Sequence, residues 1–549
     1  MNWERISPDL TTNDPEMQKQ EQSGGITVDN SAAETHTTIY SISESPKNHG
    51  VIWVGTDDGN VQVTRDAGKT WANTAANIPG LPKGNWISWV EASRFDPATA
   101  YVTVDRHNFG DMAPYVYRTR NYGATWEKLI APDTQGVRGY VHVVKEDPKS
   151  PNILYVGTEF GLYVSLDGGA NWAEFAPNNF PHVAVRDLAF QTRDDDLVIA
   201  THGRGIWIVD DISPLRALHS QTLAQDATLI PGRPAQQRIE SNGGWSDGDA
   251  AYAGQNPASG ATITYYQKAR QVIGRLKLDV LDAKGNLVTT LPASNRKGLN
   301  RVVWSMHEDP PQTPSGATLV FNATRGPRVM PGTYTIRLTK GANVYTMPFT
   351  IGLDRRATFT IADRKAQYDA AKRVTGLFGR MSMLSGKIRD VREGAEADAA
   401  KLPEGDALRH ELETLAGDAD GLRKQIVATT EGGAITGEER LREHMDFVYG
   451  AIMSVEDKPT PYQVARINAL ERELKDVEDQ FAELEKGELA AVNSHLKEKG
   501  LEQIALTDPP AEFAGGGGPA RAVASGLIGL FLRDINAAQP EAGDRDERD

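Results

Sequence analysis

The 549-residue chain contains no cysteine. That excludes disulfides, zinc-thiolate sites, iron–sulfur clusters and cysteine nucleophiles. It leaves the compartment open, because a large domain needs no disulfide even where one could form. Long apolar runs are lacking too. The longest near the C-terminus, Val523 to Leu532, is broken by Ser525 and Gly526. It reaches about half of the ~20 residues needed to span a bilayer, so no membrane span is expected. Met1 to Ile6 carries neither a basic nor an apolar stretch, so no signal peptide is expected on this chain. Positive charge is in the minority, with 59 Lys and Arg against 74 Asp and Glu and a net charge of −15. Such a surface repels phosphate backbones, and no nucleic-acid partner is expected.

Most catalytic signatures are absent as well. There is no G-x-S-x-G, no Walker A and no strand-borne G-x-G-x-x-G. His107, His142, His182 and His202 show neither His-x-His nor His-Glu-x-x-His spacing. Asp247-Gly248-Asp249 reads as a turn rather than a calcium loop. No metal or cofactor is expected.

What is present suits a soluble globular protein, with 39% hydrophobic and 24% charged residues. The length exceeds one core and predicts about three or four domains. The dominant feature is an internal repeat. Thr64-Arg65-Asp66-Ala67-Gly68-Lys69-Thr70-Trp71, Thr119-Arg120-Asn121-Tyr122-Gly123-Ala124-Thr125-Trp126 and Ser165-Leu166-Asp167-Gly168-Gly169-Ala170-Asn171-Trp172 align without gaps. Trp126 lies 55 residues after Trp71, and Trp172 lies 46 after Trp126. That spacing fits propeller blades of four strands. In each copy the Asp or Asn oxygen (Asp66, Asn121, Asp167) accepts turn N–H bonds. The glycines Gly68, Gly123 and Gly169 adopt positive φ, and Trp71, Trp126 and Trp172 supply apolar area. A carboxylate repeated in every blade serves the blade and not one catalytic site, so these residues are assigned to structure.

β-Branched and aromatic runs precede each repeat, for example Ile52-Trp53-Val54 and Ile153-Leu154-Tyr155-Val156. A fourth unit, 185–209, has the strands without the box. The fold class is therefore mainly β with an α C-terminal region: a partial propeller of four blades over 1–213, a linker over 214–260, a β-sandwich over 261–353, a helical hairpin or bundle over 359–505, and a disordered tail over 506–549. Asn2-Trp3-Glu4-Arg5 matches the end of a box, which predicts a missing preceding blade and upstream blades or a partner chain to supply it.

The boxes, together with Tyr155-Val156-Gly157-Thr158-Glu159-Phe160-Gly161 and Ala200-Thr201-His202-Gly203-Arg204-Gly205-Ile206-Trp207, resemble the C-terminal blades of bacterial sortilin-type Asp-box (neuraminidase-repeat) proteins. Many such proteins are labelled glycosyl hydrolases. The resemblance implies a periplasmic or secreted location and a peptide or glycan ligand. The strand runs between Ile263 and Ile351 are similar to the immunoglobulin-like module of flagellar hook-capping proteins. Further on, Tyr368, Ala371, Thr375, Phe378, Met381 and Ile388 mark one helix face, and Val464, Ile467, Leu474, Val477, Phe481 and Leu484 mark another. Thr460-Pro461 reads as the cap and first turn of the second helix.

In a four-stranded blade, the loop after the second strand lies opposite the box turn. Asp105, Arg106, His107, Glu159, His202 and Arg204 fall in such loops, and Arg138 falls in a connection between blades. These seven are the candidate ligand-binding residues. No carboxylate pair with a defined separation stands out, and the sialidase Arg-Ile-Pro motif is absent. The function expected is a non-catalytic extracytoplasmic binding module. The alternatives are a glycoside hydrolase (sialidase-like or xyloglucanase-like) sharing its site with other blades, and a structural assembly subunit held through its helices.

Overall fold

The structure, a computed structural model, describes residues 3–22, 35–81, 84–176, 180–239, 254, 256–272, 274, 276–432 and 437–507. The chain divides into two compact units. The first is residues 1–233 with 264–271 and 296–301, and the second holds the rest.

The first unit carries consecutive antiparallel sheets. One has β1 (Ile39–Glu44), β2 (Ile52–Thr56), β3 (Val61–Thr64) and β4 (Ala72–Asn73). The next has β5 (Trp86–Ala92), β6 (Ala100–Asp105), β7 (Val116–Thr119) and β8 (Glu127–Ile130). A third has β9 (Val141–Glu146), β10 (Leu154–Thr158), β11 (Gly161–Ser165) and β12 (Ala173–Glu174). The last has three strands, β13 (Val185–Gln191), β14 (Asp196–Thr201) and β15 (Ile206–Val209). Each sheet is ordered as its strands follow in the chain, the arrangement of propeller blades.

Each joint between neighbouring blades has its own apolar cluster. Trp53, Val61 and Val63 meet Ile87, Val90 and Val102 at the first. Tyr101 and Val116 meet Val141, Val144 and Val156 at the second. Tyr155 and Leu162 meet Val185, Leu188 and Ile199 at the third. Serines stitch the first strands together. Ser41 Oγ accepts from Val90 N at 2.9 Å, Ser43 Oγ accepts from Ala92 N at 2.9 Å, and Ser88 Oγ donates to the Val141 carbonyl at 2.9 Å. A Cβ on Gly157 would stand 2.6 Å from the Val185 carbonyl oxygen, so glycine permits that close approach.

The stretch 214–260, expected as a linker, is structured where it is described. It holds a 3-10 turn (Ser213–Ala217), α1 (Ser220–Ala224), β16 (Ala227–Ile230) and β17 (Ala235–Gln237). Then come β18 (Ala261–Gln267), β19 (Leu276–Leu281), β20 (Leu287–Leu291), β21 (Gly298–Trp304), β22 (Gly332–Lys340) and β23 (Asn343–Leu353). One sheet runs β16-β18-β21 and the other β17-β23-β22-β19-β20, with β17 parallel to β23. Both strands from the expected linker thus belong to these sheets. Alternation alone misses them because they are only four and three residues long.

The helices of the second unit are α2 (Ile361–Ala399), α3 (Ala407–Ile426), α4 (Leu441–Met453), α5 (Pro461–Leu484) and α6 (Ala490–Glu498), with a π turn at Glu485–Leu489. They share one core that includes Phe378, Met381, Leu412, Leu415, Tyr449 and Leu474. Thr360 with Asp363 and Thr460 with Gln463 form reciprocal caps on α2 and α5. Of the positions that mark the two helix faces, three are not buried, the half-buried Tyr368 among them. Val464 is 40% exposed, and Thr375 lies beside the buried stripe of Val374, Leu377 and Phe378. Within this unit the Asp446 carboxylate on α4 accepts backbone N–H bonds from Phe321, Asn322 and Ala323 at 3.2, 3.1 and 2.8 Å. The tail from residue 508 and Asp247-Gly248-Asp249 lie outside the described residues.

Candidate functional site

One irregularity recurs in all the blades. The ladder between the first and second strands slips by one residue near its start. The extra residues are Tyr40, Ser88, His142 and Arg186. Each is skipped between successive pairs: Ile39↔Thr56 then Ser41↔Gly55, and so on through Val185↔Thr201 then Asp187↔Ala200. A bulge re-aims a side chain and bends the strand at its end. The four bulges lie at one level, and Tyr40, His142 and Arg186 stand along the rim that also bears the loops after the second strands, while Ser88 is buried between blades.

An aromatic and imidazole ladder follows that rim. Tyr40 meets Trp86 edge-on with ring centroids 4.7 Å apart. Trp86 lies 6.2 Å from His107, and His107 stacks on Tyr140 at 4.6 Å. Tyr140 meets His142 edge-on at 4.9 Å. Polar contacts carry the series onward. His142 Nε2 lies 2.9 Å from Glu159 Oε2. Arg186 reaches His142 Nδ1 at 3.3 Å, His202 Nδ1 at 3.4 Å and the Glu159 carboxylate at 3.7 Å. Asp105 Oδ1 accepts from His107 N at 2.9 Å and faces His107 Nδ1 at 2.7 Å.

The electrostatics follow from these contacts. A guanidinium can only donate, so His142 Nδ1 accepts from Arg186 and its Nε2–H donates to Glu159. Burial, aided by the Arg186 charge, pushes the His142 imidazole below its usual range and keeps it neutral. Burial pushes the Glu159 carboxyl up. Hydrogen bonds from His142 and Tyr140, with nearby positive charge, outweigh that and hold it below the usual range. Burial, then the bond to Glu159, raises the Tyr140 hydroxyl. The ionised Glu159 is thus organised by neutral donors on one side and Arg186 on the other. The Arg186 side chain keeps 44% of its surface exposed.

The structure brings together Asp105, His107, Glu159 and His202 of the seven candidates. Arg106 is turned back onto its own loop, where it pairs with Asp111 at 2.8 Å, and onto Asn85 just before β5, to which it donates. Arg138 and Arg204 have exposed side chains. Their backbones are engaged instead: the Arg138 carbonyl accepts from Thr158 and its N–H donates to the Tyr163 hydroxyl, and the Arg204 carbonyl accepts from Trp207. Sequence reasoning missed Tyr40, Trp86, Tyr140, His142 and Arg186 as site residues. Aligning the four first strands at their starts shows Tyr, Ser, His and Arg at one level, each directly after a β-branched residue (Ile39, Ile87, Val141 and Val185).

At the opposite rim the box residues make the same contacts three times. Asp66, Asn121 and Asp167 each accept at 2.9 Å from the backbone N of the residue four further on. Trp71 and Trp172 donate to the carbonyls of Gly68 and Gly169 at 3.1 Å. Trp126 is buried and packs edge-on against Trp53 at 5.9 Å. Among the described residues no group of three or more His, Asp or Glu could hold a metal ion, and no helix is long and apolar enough to cross a membrane.

Part of this chain is similar in sequence to a vacuolar sorting protein. It is 32% identical over 102 residues to vacuolar protein sorting/targeting protein 10 of Laccaria bicolor. The match covers 18% of this chain and 6% of that protein. Among solved structures, YCF48 bound to D1 peptide is 17% identical, with a TM-score of 0.24 over 32% of this chain and 52% of that one. A GH74 enzyme of Niastella koreensis is 13% identical, with a TM-score of 0.24 over 58% of this chain and 46% of that one. No family model matches the chain.

Proposed function

We propose that the bulged rim is a non-catalytic binding site for a peptide or glycan in an extracytoplasmic module. The observation that carries this reading is the repeated bulge, which gives one rim three different side chains, Tyr40, His142 and Arg186, on a rigid frame. Exposed aromatic area at Tyr40 suits an apolar side chain or a sugar face. The exposed part of Arg186, flanked by His202, suits an acidic group of the ligand. The sortilin-type resemblance supplies the extracytoplasmic assignment.

The carboxylates favour binding over turnover. A glycosidase needs one carboxyl kept protonated at working pH as a general acid. Glu159 is held in the opposite direction, and Asp105 is engaged by the backbone and ring of His107.

The test is a panel of peptides and glycans against the full chain, repeated with Arg186→Ala and Tyr40→Ala. At least tenfold weaker binding in both variants, with unchanged melting, supports the site. Binding that survives both changes moves the site elsewhere. Hydrolysis that depends on Glu159 or Asp105 makes the protein a glycoside hydrolase instead.

A further inference from the structure

Equivalent positions can be compared blade by blade, and the two ends of the array differ from its middle. On the first strands, the residue two past the bulge is Ile42, Val90, Val144 or Leu188. Val90, Val144 and Leu188 are at most 2% exposed, whereas Ile42 is 65% exposed. The residue before the bulge repeats the contrast. Ile87, Val141 and Val185 are fully buried, and Ile39 is 43% exposed. On the third strands, Val61, Val116, Leu162 and Ile206 pair at equivalent points with Gly55, Thr103, Gly157 and Ala200. The first three are at most 1% exposed, and Ile206 is 73% exposed. The positions buried at every internal joint are thus open at β1 and at β15. The β15 sheet also ends after three strands, leaving that strand at its edge.

Residues 3–6 add an independent observation. In each box the closing glycine is covered by the residue three past a box tryptophan of the preceding blade. Thr74, three past Trp71, would meet a Cβ on Gly123 at 2.5 Å. Leu129, three past Trp126, would meet one on Gly169 at 3.0 Å. Gly68 is covered in the same way by Ile6, three past Trp3, whose carbonyl oxygen would stand 2.4 Å from the added Cβ. The Ile6 carbonyl also accepts from Trp71 Nε1 at 3.2 Å, and Leu10 beyond it is buried. Trp3 itself is 98% exposed. Residues 3–6 therefore occupy the place of an outer strand whose own blade is not among the described residues.

We propose that these two faces dock further Asp-box blades carried outside residues 3–507. On one side such a blade covers Ile39 and Ile42 on β1 and takes residues 3–6 as its outer strand. On the other side a strand from the partner pairs with β15 and covers Ile206. The occupant follows from continuity with the three joints already inside this chain. The same positions need the same covering, and only a blade presents it with strand edges to match.

The experiment is co-expression of the chain with a tagged polypeptide comprising the Asp-box blades encoded immediately upstream of it, followed by sedimentation of the purified pair. The expected result is a one-to-one complex that Ile42→Lys and Ile206→Lys each weaken at least tenfold. Both side chains are exposed in the chain alone, so each variant alone should melt like its parent. No Asp-box blades encoded there, no complex, or a complex that survives both substitutions overturns the proposal. So does a stable dimer of the chain alone that the same substitutions dissolve, because the occupant is then a second copy.

Discussion

The two rims of the blade array are built from the same strands and behave oppositely. At the box rim three blades repeat one set of hydrogen bonds around Asp66, Asn121 and Asp167. At the bulged rim the backbone irregularity repeats while the side chain changes, from Tyr40 to Ser88 to His142 to Arg186. Repetition of residue and contact together marks a part each blade needs in order to fold. Repetition of the backbone with variation of the side chain marks a frame that presents different chemistry to one place.

The largest expected effect lies at the box rim. Gly123 has φ of +80°, and an added Cβ would stand 2.5 Å from Thr74. Gly123→Ala should therefore cost about 3 kcal/mol by chemical denaturation, from left-handed backbone strain and overpacking. A loss under about 0.5 kcal/mol would show that the turn relaxes, and would weaken the contrast between the rims.

Asp167→Ala comes next. Asp167 accepts from Asn171 N at 2.9 Å, Asn171 Nδ2 at 2.7 Å and Ser165 Oγ at 2.8 Å. At roughly 1 kcal/mol per net bond, and with part of the turn exposed, the expected loss is about 2 kcal/mol. Ligand binding should be unchanged. Unchanged melting with lost binding would reverse the assignment of that rim.

Arg186→Ala should do the opposite. With 44% of the side chain exposed, the stability change should stay within about 0.5 kcal/mol. Binding should fall at least tenfold, which is about 1.4 kcal/mol. Titration calorimetry beside thermal melts separates the two.

The smallest effect is on pH dependence. His142 is buried and its folded-state pKa is depressed, so the unfolded chain binds a proton that the folded chain refuses. Stability is then fully present above about pH 6.5 and is lost as pH falls below it. Glu159, also depressed, adds a loss in the same direction at lower pH, below the usual carboxylate range. Urea melts at pH 7.5 and 5.5 should show the decline, and His142→Gln should flatten it. An equal slope in the variant would assign the decline to other groups.

Much of the frame was legible in the sequence. Box spacing and strand runs placed the blades because a hairpin turn and a hydrophobic strand are local. The helices were legible as well, through periodicity and through the cap Thr460. The short strands Ala227–Ile230 and Ala235–Gln237 were not, since their pairing partners lie far along the chain. Asp105, His107, Glu159 and His202 could be placed on one rim by counting strands, but counting could not tell that Arg106 folds back onto Asp111.

By itself, then, the sequence determined the blade repeat, its turn chemistry and the change from strands to helices, because each depends on neighbours a few residues apart. Only the tertiary structure decided which side chains share a site. That choice rests on a one-residue slip in each ladder and on contacts within and between blades, such as His107 on Tyr140 and Arg186 beside His142 and His202. Such contacts join residues some 16 to 44 positions apart, where no local spacing rule reaches.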